Sequence, residues 1–170
     1  MIRDILNKGK LGEISFIESK WGQLSINRKV APENKWWHEE SKVGGGSVAG
    51  MGVHVLDFLN YILGKQSDAV KGMESPLGDI IDNTKCILLR YGNTIATVTS
   101  SRKMKEPDNS IRIFGTEGTL EATQIFGTKV SGRLIVNGNL KKEFDGLIDM
   151  YEEEVKEFVS LISGQDSRIA

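Results

Sequence analysis

Two spacings of apolar residues alternate along the chain, and together they predict a fold of both helices and strands. Apolar positions three and four residues apart predict helices over 2–8, 47–63 and 147–162. Elsewhere apolar and polar positions alternate, which predicts strands because successive side chains of a strand point to opposite faces of its sheet. The predicted strands cover residues 13–24, 68–74, 84–91, 94–102, 110–114, 119–124, 129–136 and 140–144.

The strands after Gly64 follow one another directly, and short turns connect them. Residues 91–94, 115–118 and 137–139 carry Gly or Asn, which tolerate the positive φ that tight hairpins need. This order predicts an α+β fold, with a mostly antiparallel sheet of about seven or more strands and helices packed on one face. The large free face favours a second subunit as its cover, so we expect a homo-oligomer that forms through the open sheet face.

The length and charge of the chain limit its function classes. At 170 residues it fits one domain, residues 1–170. Its 22 basic and 23 acidic residues give a net charge of -1, so charge gives no reason to expect nucleic acid or an anionic membrane as partner. No run approaches the ~20 apolar residues that cross a bilayer. The lone Cys86, which we expect to be buried in a strand, forms no internal disulfide, and we expect a cytoplasmic protein.

The segment from Trp36 to Gly64 carries most of the candidate chemistry. The pair Trp36 and Trp37 precedes a triple glycine, residues 44–46, and then His54, one turn into a predicted helix. Backbone rich in glycine can approach a ligand closely because no Cβ intervenes. An imidazole can act as general acid or base near neutral pH. The tryptophans either stack on a sugar ring or pack on the core as loop residues.

No nucleotide-binding or metal-binding motif accompanies this segment. Gly50 and Gly52 lack the third glycine of a dinucleotide fingerprint, and they lie inside a predicted helix rather than after a strand. The P-loop, HExxH, CxxC and GxSxG motifs are also absent. The sequence therefore offers no means of binding a dinucleotide by itself, and we expect no metal site.

The same segment resembles the C-terminal domain of the Gfo/Idh/MocA oxidoreductases, a family that includes glucose–fructose oxidoreductase and inositol dehydrogenase. An ordered set of residues carries the resemblance, namely Trp36, Glu39, Gly44, Gly45, Gly46, Gly52, His54, Asp57 and Gly64. The flanking segments 5–19, 111–120 and 151–162 resemble the family as well. The resemblance thus extends over essentially the whole chain.

The resemblance implies an oxidoreductase that acts on a carbinol carbon of a sugar, a cyclitol or a related polyol. In that family NAD or NADP binds on an N-terminal Rossmann domain, which this chain would lack. The sequence opens directly into a helix pattern and stops just after another, so we expect both ends to be cuts through a longer chain. A lysine of the missing domain usually helps with proton transfer, and this chain alone would be inactive. By position His54 matches the catalytic histidine. The candidate substrate contacts are Trp36, Trp37, Gly45, Gly46 and Gly50.

Gly50 departs from the family pattern, which has an aspartate four residues before the histidine. An aspartate could orient the imidazole or bind a neighbouring hydroxyl, and glycine does neither. The departure indicates a different chemistry, a substrate that needs space, or no dehydrogenase activity. The alternative function is therefore a non-catalytic module for small-ligand binding and dimerisation, and a weaker one is a reductase of a tetrapyrrole or an imine. We expect His38 to be exposed and Asp57 to have a structural role.

Overall fold

Eight strands form one sheet in the part of the chain that the computed structural model describes, which is residues 1–25, 36, 39–78, 80–105, 109–127 and 129–165 (of residues 129, 130 and 148 only the backbone). The strands are β1 (Ile14–Gly22), β2 (Ala69–Ser75), β3 (Thr84–Tyr91), β4 (Thr94–Ser101), β5 (Ser110–Gly115), β6 (Thr119–Thr123), β7 (Lys129–Val136) and β8 (Asn139–Asp149). The same residues contain the helices α1 (Ile2–Asn7), α2 (Val53–Leu63) and α3 (Met150–Ile162), and a π-helical turn (Val48–Gly52).

The strands lie in the order β2-β3-β4-β1-β5-β6-β7-β8 across the sheet. Neighbouring strands are antiparallel except for β1 and β4, which run parallel. The prediction of a mostly antiparallel sheet is therefore confirmed. Because β1 and β4 are parallel, their carboxyl ends meet at one edge, where Trp21 pairs with Ser100 and Gly22 pairs with Ser101. We call this edge of the sheet the Trp21 edge.

Helices α1 and α2 cover one face of the sheet. In α2 the residues Val55, Leu59 and Ile62 are buried, at the spacing that keeps side chains on one face of a helix. They share one core with inward-facing strand residues such as Ile17 of β1 and Ile111 of β5, both fully buried. Burial of each such side chain stabilises the fold by about 1.5–3 kcal/mol relative to exposure. The core therefore fixes α2 against the centre of the sheet.

The opposite face of the sheet carries no helix of the described residues. Phe16 of β1 and Phe114 of β5 lie there as a cross-strand pair, with ring centroids 6.0 Å apart. Arg112 and Glu121 form a cross-strand ion pair on the same side, with 3.4 Å between nitrogen and oxygen. This face thus mixes apolar and charged groups, and we call it the open face.

The expectation that Cys86 is buried is wrong. The residue lies in β3, as predicted, but its side chain is exposed. Side chains alternate along a strand, and Ile87 and Leu89 face the helices, so Cys86 and Leu88 must face the open side.

The predicted boundary between the last strand and the last helix is also wrong. Strand β8 continues to Asp149, and α3 begins at Met150 rather than at position 147. The Asp149 carboxylate explains this start, because its Oδ1 accepts hydrogen bonds from the backbone N–H groups of Tyr151 (2.9 Å) and Glu152 (3.3 Å). The apolar residues of α3 do not pack on the sheet but are exposed, namely Tyr151, Val155, Phe158, Val159 and Ile162.

One buried hydroxyl ties α2 to the sheet at the edge opposite Trp21. Tyr91 ends β3, is 1% exposed, and donates a hydrogen bond from its hydroxyl to Oδ1 of Asn60 on α2 over 2.9 Å. Burial raises the pKa of the Tyr91 phenol, since the phenolate would lose its hydration.

We expect Tyr91→Phe to lower the free energy of unfolding by about 1 kcal/mol, because the Asn60 amide oxygen loses its donor. The raised pKa adds stability that is fully present below about pH 10 and is lost as the pH rises through the folded value. Urea unfolding near neutral pH and above about pH 11 measures both effects. The wild-type protein should lose more stability at high pH than the variant does, and an equal loss in both would contradict this assignment.

Candidate active site

The chain enters α2 through the π-helical turn, which Ser47 separates from the triple glycine. His54 is the second residue of α2, and its side chain is exposed. A π turn closes its hydrogen bonds over five residues rather than four, and such turns are frequent at functional sites. The spacing that would stack residues 50 and 54 on a regular α-helix therefore does not apply unchanged here.

A buried polar cluster fastens the start of this turn to the sheet. The Asp82 carboxylate, 4% exposed, accepts hydrogen bonds from the backbone N–H groups of Gly46 (3.2 Å) and Ser47 (3.0 Å) and from the Ser47 hydroxyl. The Ser100 hydroxyl donates to the Ser47 carbonyl over 2.8 Å, and the Ser47 hydroxyl also lies 3.1 Å from the Ser100 carbonyl oxygen. The two amides that directly precede the turn thus already bind a carboxylate of the chain itself.

The triple glycine was expected to let the backbone approach a ligand closely. A close approach is found at Gly46, but the group that it approaches is the backbone of Asp82. A Cβ built on Gly46 would lie 1.9 Å from the backbone oxygen of Asp82, whereas one built on Gly44 meets nothing within 4 Å. Position 46 therefore requires glycine, because any Cβ there would overlap the backbone of Asp82.

His54 lies against a row of aromatic rings. Its ring centroid is 5.3 Å from that of Trp21, at an angle of 48° between the ring planes. Trp21 stacks on Phe126, with centroids 5.7 Å apart, and Phe126 meets Phe58 edge to face at 5.8 Å. His54 and Phe58 are one turn apart on α2. We call Trp21, Phe58 and Phe126 the aromatic wall.

The other predicted site residues are less closely assembled. Trp36 is 40% exposed, and Trp37 and His38 lie outside the described residues. Gly50 is exposed, and a Cβ built on it meets nothing within 4 Å. The Asp57 side chain is exposed on α2.

Sequence reasoning missed the aromatic wall and Asp82. The signal for Trp21 was available, because Ile17, Ser19 and Trp21 alternate with outward residues and so share the face that α2 covers. Phe126 and Asp82 lie in connections between strands, where no periodicity indicates which side chains turn inward.

The described residues contain neither a cluster of metal-binding side chains nor a membrane-spanning helix. No group of three or more His, Cys, Asp or Glu side chains within those ranges could hold a metal ion. Across the same ranges, no helix combines the length and the apolar character needed to cross a bilayer.

A family model for the GFO/IDH/MocA C-terminal domain matches residues 1–121 of this chain. The chain belongs to this family of oxidoreductases. Among curated proteins, an uncharacterized oxidoreductase of Synechocystis sp. is 22% identical over 88 residues, which are 49% of this chain and 23% of that protein. The Gfo/Idh/MocA resemblance stated from the 36–64 segment is therefore confirmed.

Solved structures of oxidoreductases share the fold. The aldose–aldose oxidoreductase of Caulobacter crescentus, complexed with glycerol, has a TM-score of 0.77 at 15% identity, over 99% of this chain and 51% of that one. A putative NADPH-dependent oxidoreductase of Desulfitobacterium hafniense has a TM-score of 0.75 at 22% identity, over 99% of this chain and 53% of that one. The chain therefore spans about half the length of these proteins.

We expect Gly46→Ala to destabilise the fold by about 1–3 kcal/mol or more, because its Cβ would overlap the backbone of residue 82. Gly44→Ala is the matched control, and its free energy of unfolding should stay within about 0.5 kcal/mol of wild type. Urea unfolding of both variants measures the difference. Equal stability of the two variants would show that the 46–82 contact is not close in solution.

Proposed function

We propose that this domain provides the substrate side of an NAD- or NADP-dependent oxidoreductase acting on a carbinol carbon of a sugar, a cyclitol or a related polyol. The observation that carries the proposal is the exposed imidazole of His54 beside the aromatic wall, in a chain of an oxidoreductase family. The indole of Trp36, 40% exposed, offers an apolar face to the C–H groups of a sugar, while the imidazole reaches a hydroxyl.

In this proposal His54 handles the proton of the reacting hydroxyl. When the carbinol is oxidised, the imidazole acts as a general base and takes the proton of the hydroxyl group. In the reverse direction the imidazolium returns that proton to the oxygen. Bound NAD or NADP supplies the acceptor for the hydride and its electron pair. The chain's own residues hold the proton and the sugar, with Trp36, Trp37, Gly45 and Gly50 as further candidate contacts, whereas Gly46 is buried against Asp82.

The cofactor would be bound mainly by a separate nucleotide-binding domain. This part of the proposal is supported by the sequence, which has no dinucleotide fingerprint, and by the Gly46 and Ser47 amides just before the π-helical turn, which already bind the Asp82 carboxylate. An apolar cleft of about 180 Å³ is also available to such a domain, with Ile2, Ile125 and Leu134 among its lining residues. The exposed apolar side of α3 is a second surface that a domain of this kind would cover.

We further propose that two copies of the chain associate through the open face. Leu88 of β3 is 46% exposed there, and Phe16 and Phe114 add aromatic area at the centre of the sheet. Protein interfaces likewise combine apolar groups at their core with polar groups around them.

The second candidate function is a non-catalytic module that binds a small ligand. Gly50 favours it, because the open space at that position holds no group that could bind or orient a reacting hydroxyl. Such a module would bind polyols with no nicotinamide partner.

We expect His54→Gln, placed in the protein joined to its nucleotide-binding domain, to lower kcat by about 10²–10⁴-fold, since proton transfer loses its side chain. Initial rates with a panel of aldoses and cyclitols, each with NAD and with NADP, measure this. Gly50→Asp is the companion variant, because the open space at position 50 accepts a carboxylate without a clash. Unchanged kcat in His54→Gln would remove the imidazole from the reaction.

Calorimetry separates the two candidate functions. Binding of glucose or myo-inositol that survives His54→Gln, in a protein that turns over no polyol with either cofactor, would favour the binding module. Turnover that depends on His54 would exclude it.

We expect Leu88→Lys to weaken association of the chain at least tenfold, because a charge would enter the open face at the proposed interface. Sedimentation velocity over a range of protein concentrations measures the dissociation constant. Val53→Lys is the matched control, since Val53 is also 46% exposed but lies on α2. A wild-type chain that remains monomeric throughout the range would contradict the proposed interface.

A further inference from the structure

We propose that Trp21 is the positioning residue for His54. The contact between the two rings orients the imidazole, a role for which the family uses a carboxylate one turn earlier. The inference rests on the proposed function, because the proton chemistry of His54 is what gives its orientation a purpose. Its geometric part concerns the imidazole alone and can be tested without a substrate.

The contact between the two rings is direct. The centroids of Trp21 and His54 are 5.3 Å apart, within the range in which aromatic rings attract one another. Trp21 comes from β1 and His54 from the first turn of α2, so the contact joins the sheet to the helix at the Trp21 edge. The indole of Trp21 excludes those side-chain rotamers of His54 that would make the imidazole overlap it.

Other restraints on the imidazole are few in the described residues. Within those ranges, the structure gives His54 no hydrogen-bond partner, and its ring contact is the one with Trp21. Gly50 has no side chain, and the space around it is open. The π-helical turn also changes the register between positions 50 and 54. Orientation of the imidazole therefore depends on the indole.

The indole is itself held in place, as a positioning group must be. Its far neighbour is Phe126, stacked at 16° between planes and 8% exposed, and Phe58 meets Phe126 edge to face. The Asn109 side chain links the end of β1 to the connection between β6 and β7, since its Oδ1 accepts from the Gly22 backbone N–H at 3.3 Å and its Nδ2 donates to the Phe126 carbonyl over 2.8 Å. Movement of Trp21 would require these groups to move together.

Nuclear magnetic resonance of the 170-residue chain tests the contact. The chain has two histidines, so His38→Gln leaves one imidazole to observe. With Trp21 present, the His54 ring protons should show the ring-current shift of a nearby indole, and the three-bond couplings across χ1 should report a single rotamer. In Trp21→Leu the shift should vanish and the couplings should average over rotamers. Trp21→Phe keeps a flat ring and should restore much of both signals.

Tyr61→Leu is the matched control, because Tyr61 is an exposed aromatic on the same helix, where its ring contacts Arg3. It should leave both His54 signals unchanged. If Trp21→Leu fails to fold, Trp21→Phe decides the question, because its smaller ring should reduce the shift while the core stays packed. A His54 shift and couplings that are identical in wild type and both Trp21 variants would overturn the inference.

Kinetics of the protein joined to its nucleotide-binding domain test the functional part, with the polyol that gives the highest rate in the aldose and cyclitol panel. Trp21→Leu should lower kcat about tenfold to hundredfold, with KM changed much less, and Trp21→Phe should recover most of the rate. Averaged His54 couplings together with unchanged kcat would overturn the positioning role. Failure of the proposed function would give a different result. The wild-type protein would then turn over no polyol, although the resonance spectra would still show the contact between Trp21 and His54.

Discussion

The carboxylate of Asp82 is the buried charge on which the candidate site depends. A buried carboxylate is costly unless hydrogen bonds replace its water, and here Gly46 and Ser47 provide them. The same bonds satisfy backbone donors that the start of a helix leaves without partners. These bonds fix Gly46 and Ser47, at the entrance to the π-helical turn, and hydrogen bonds between Ser47 and Ser100 attach the same point to the end of β4. The position of His54 follows, because α2 continues directly from that turn.

The parallel pairing of β1 and β4 brings the second half of the site to the same place. In an antiparallel pair the carboxyl end of β1 would lie beside the start of β4, far from Ser100. Parallel pairing instead sets Trp21 beside Ser100, and Ser100 is bonded to Ser47. The polar cluster and the aromatic wall are therefore two sides of one arrangement, in which the sheet holds the beginning of α2 by hydrogen bonds and by ring contacts.

The fold could be predicted from the sequence wherever a helix or strand buries one of its faces, because the apolar residues then recur at a regular spacing along the chain. Alternation located the strands, and the spacing of Val55, Leu59 and Ile62 located α2. The parallel pair was not predictable, because it joins segments that are distant in the chain. Of the site, the sequence pattern revealed His54 and the glycines but not their neighbours. Asp82 and Phe126 lie in connections without periodicity, where contacts made by the folded chain decide which side chains turn inward.

An aromatic wall and a carboxylate restrain an imidazole in different ways. A carboxylate accepts a hydrogen bond from one ring N–H, so it uses one of the two nitrogen atoms and places a negative charge next to it. Trp21 contacts the ring without a hydrogen bond to either nitrogen, so neither atom is used by this contact and no charge is added. With Gly50 in place of an acid, no carboxylate precedes His54 by four residues, and Asp57 follows it by three on α2. This arrangement leaves both ring nitrogens of His54 available to the hydroxyl groups of the polyol that we propose as substrate.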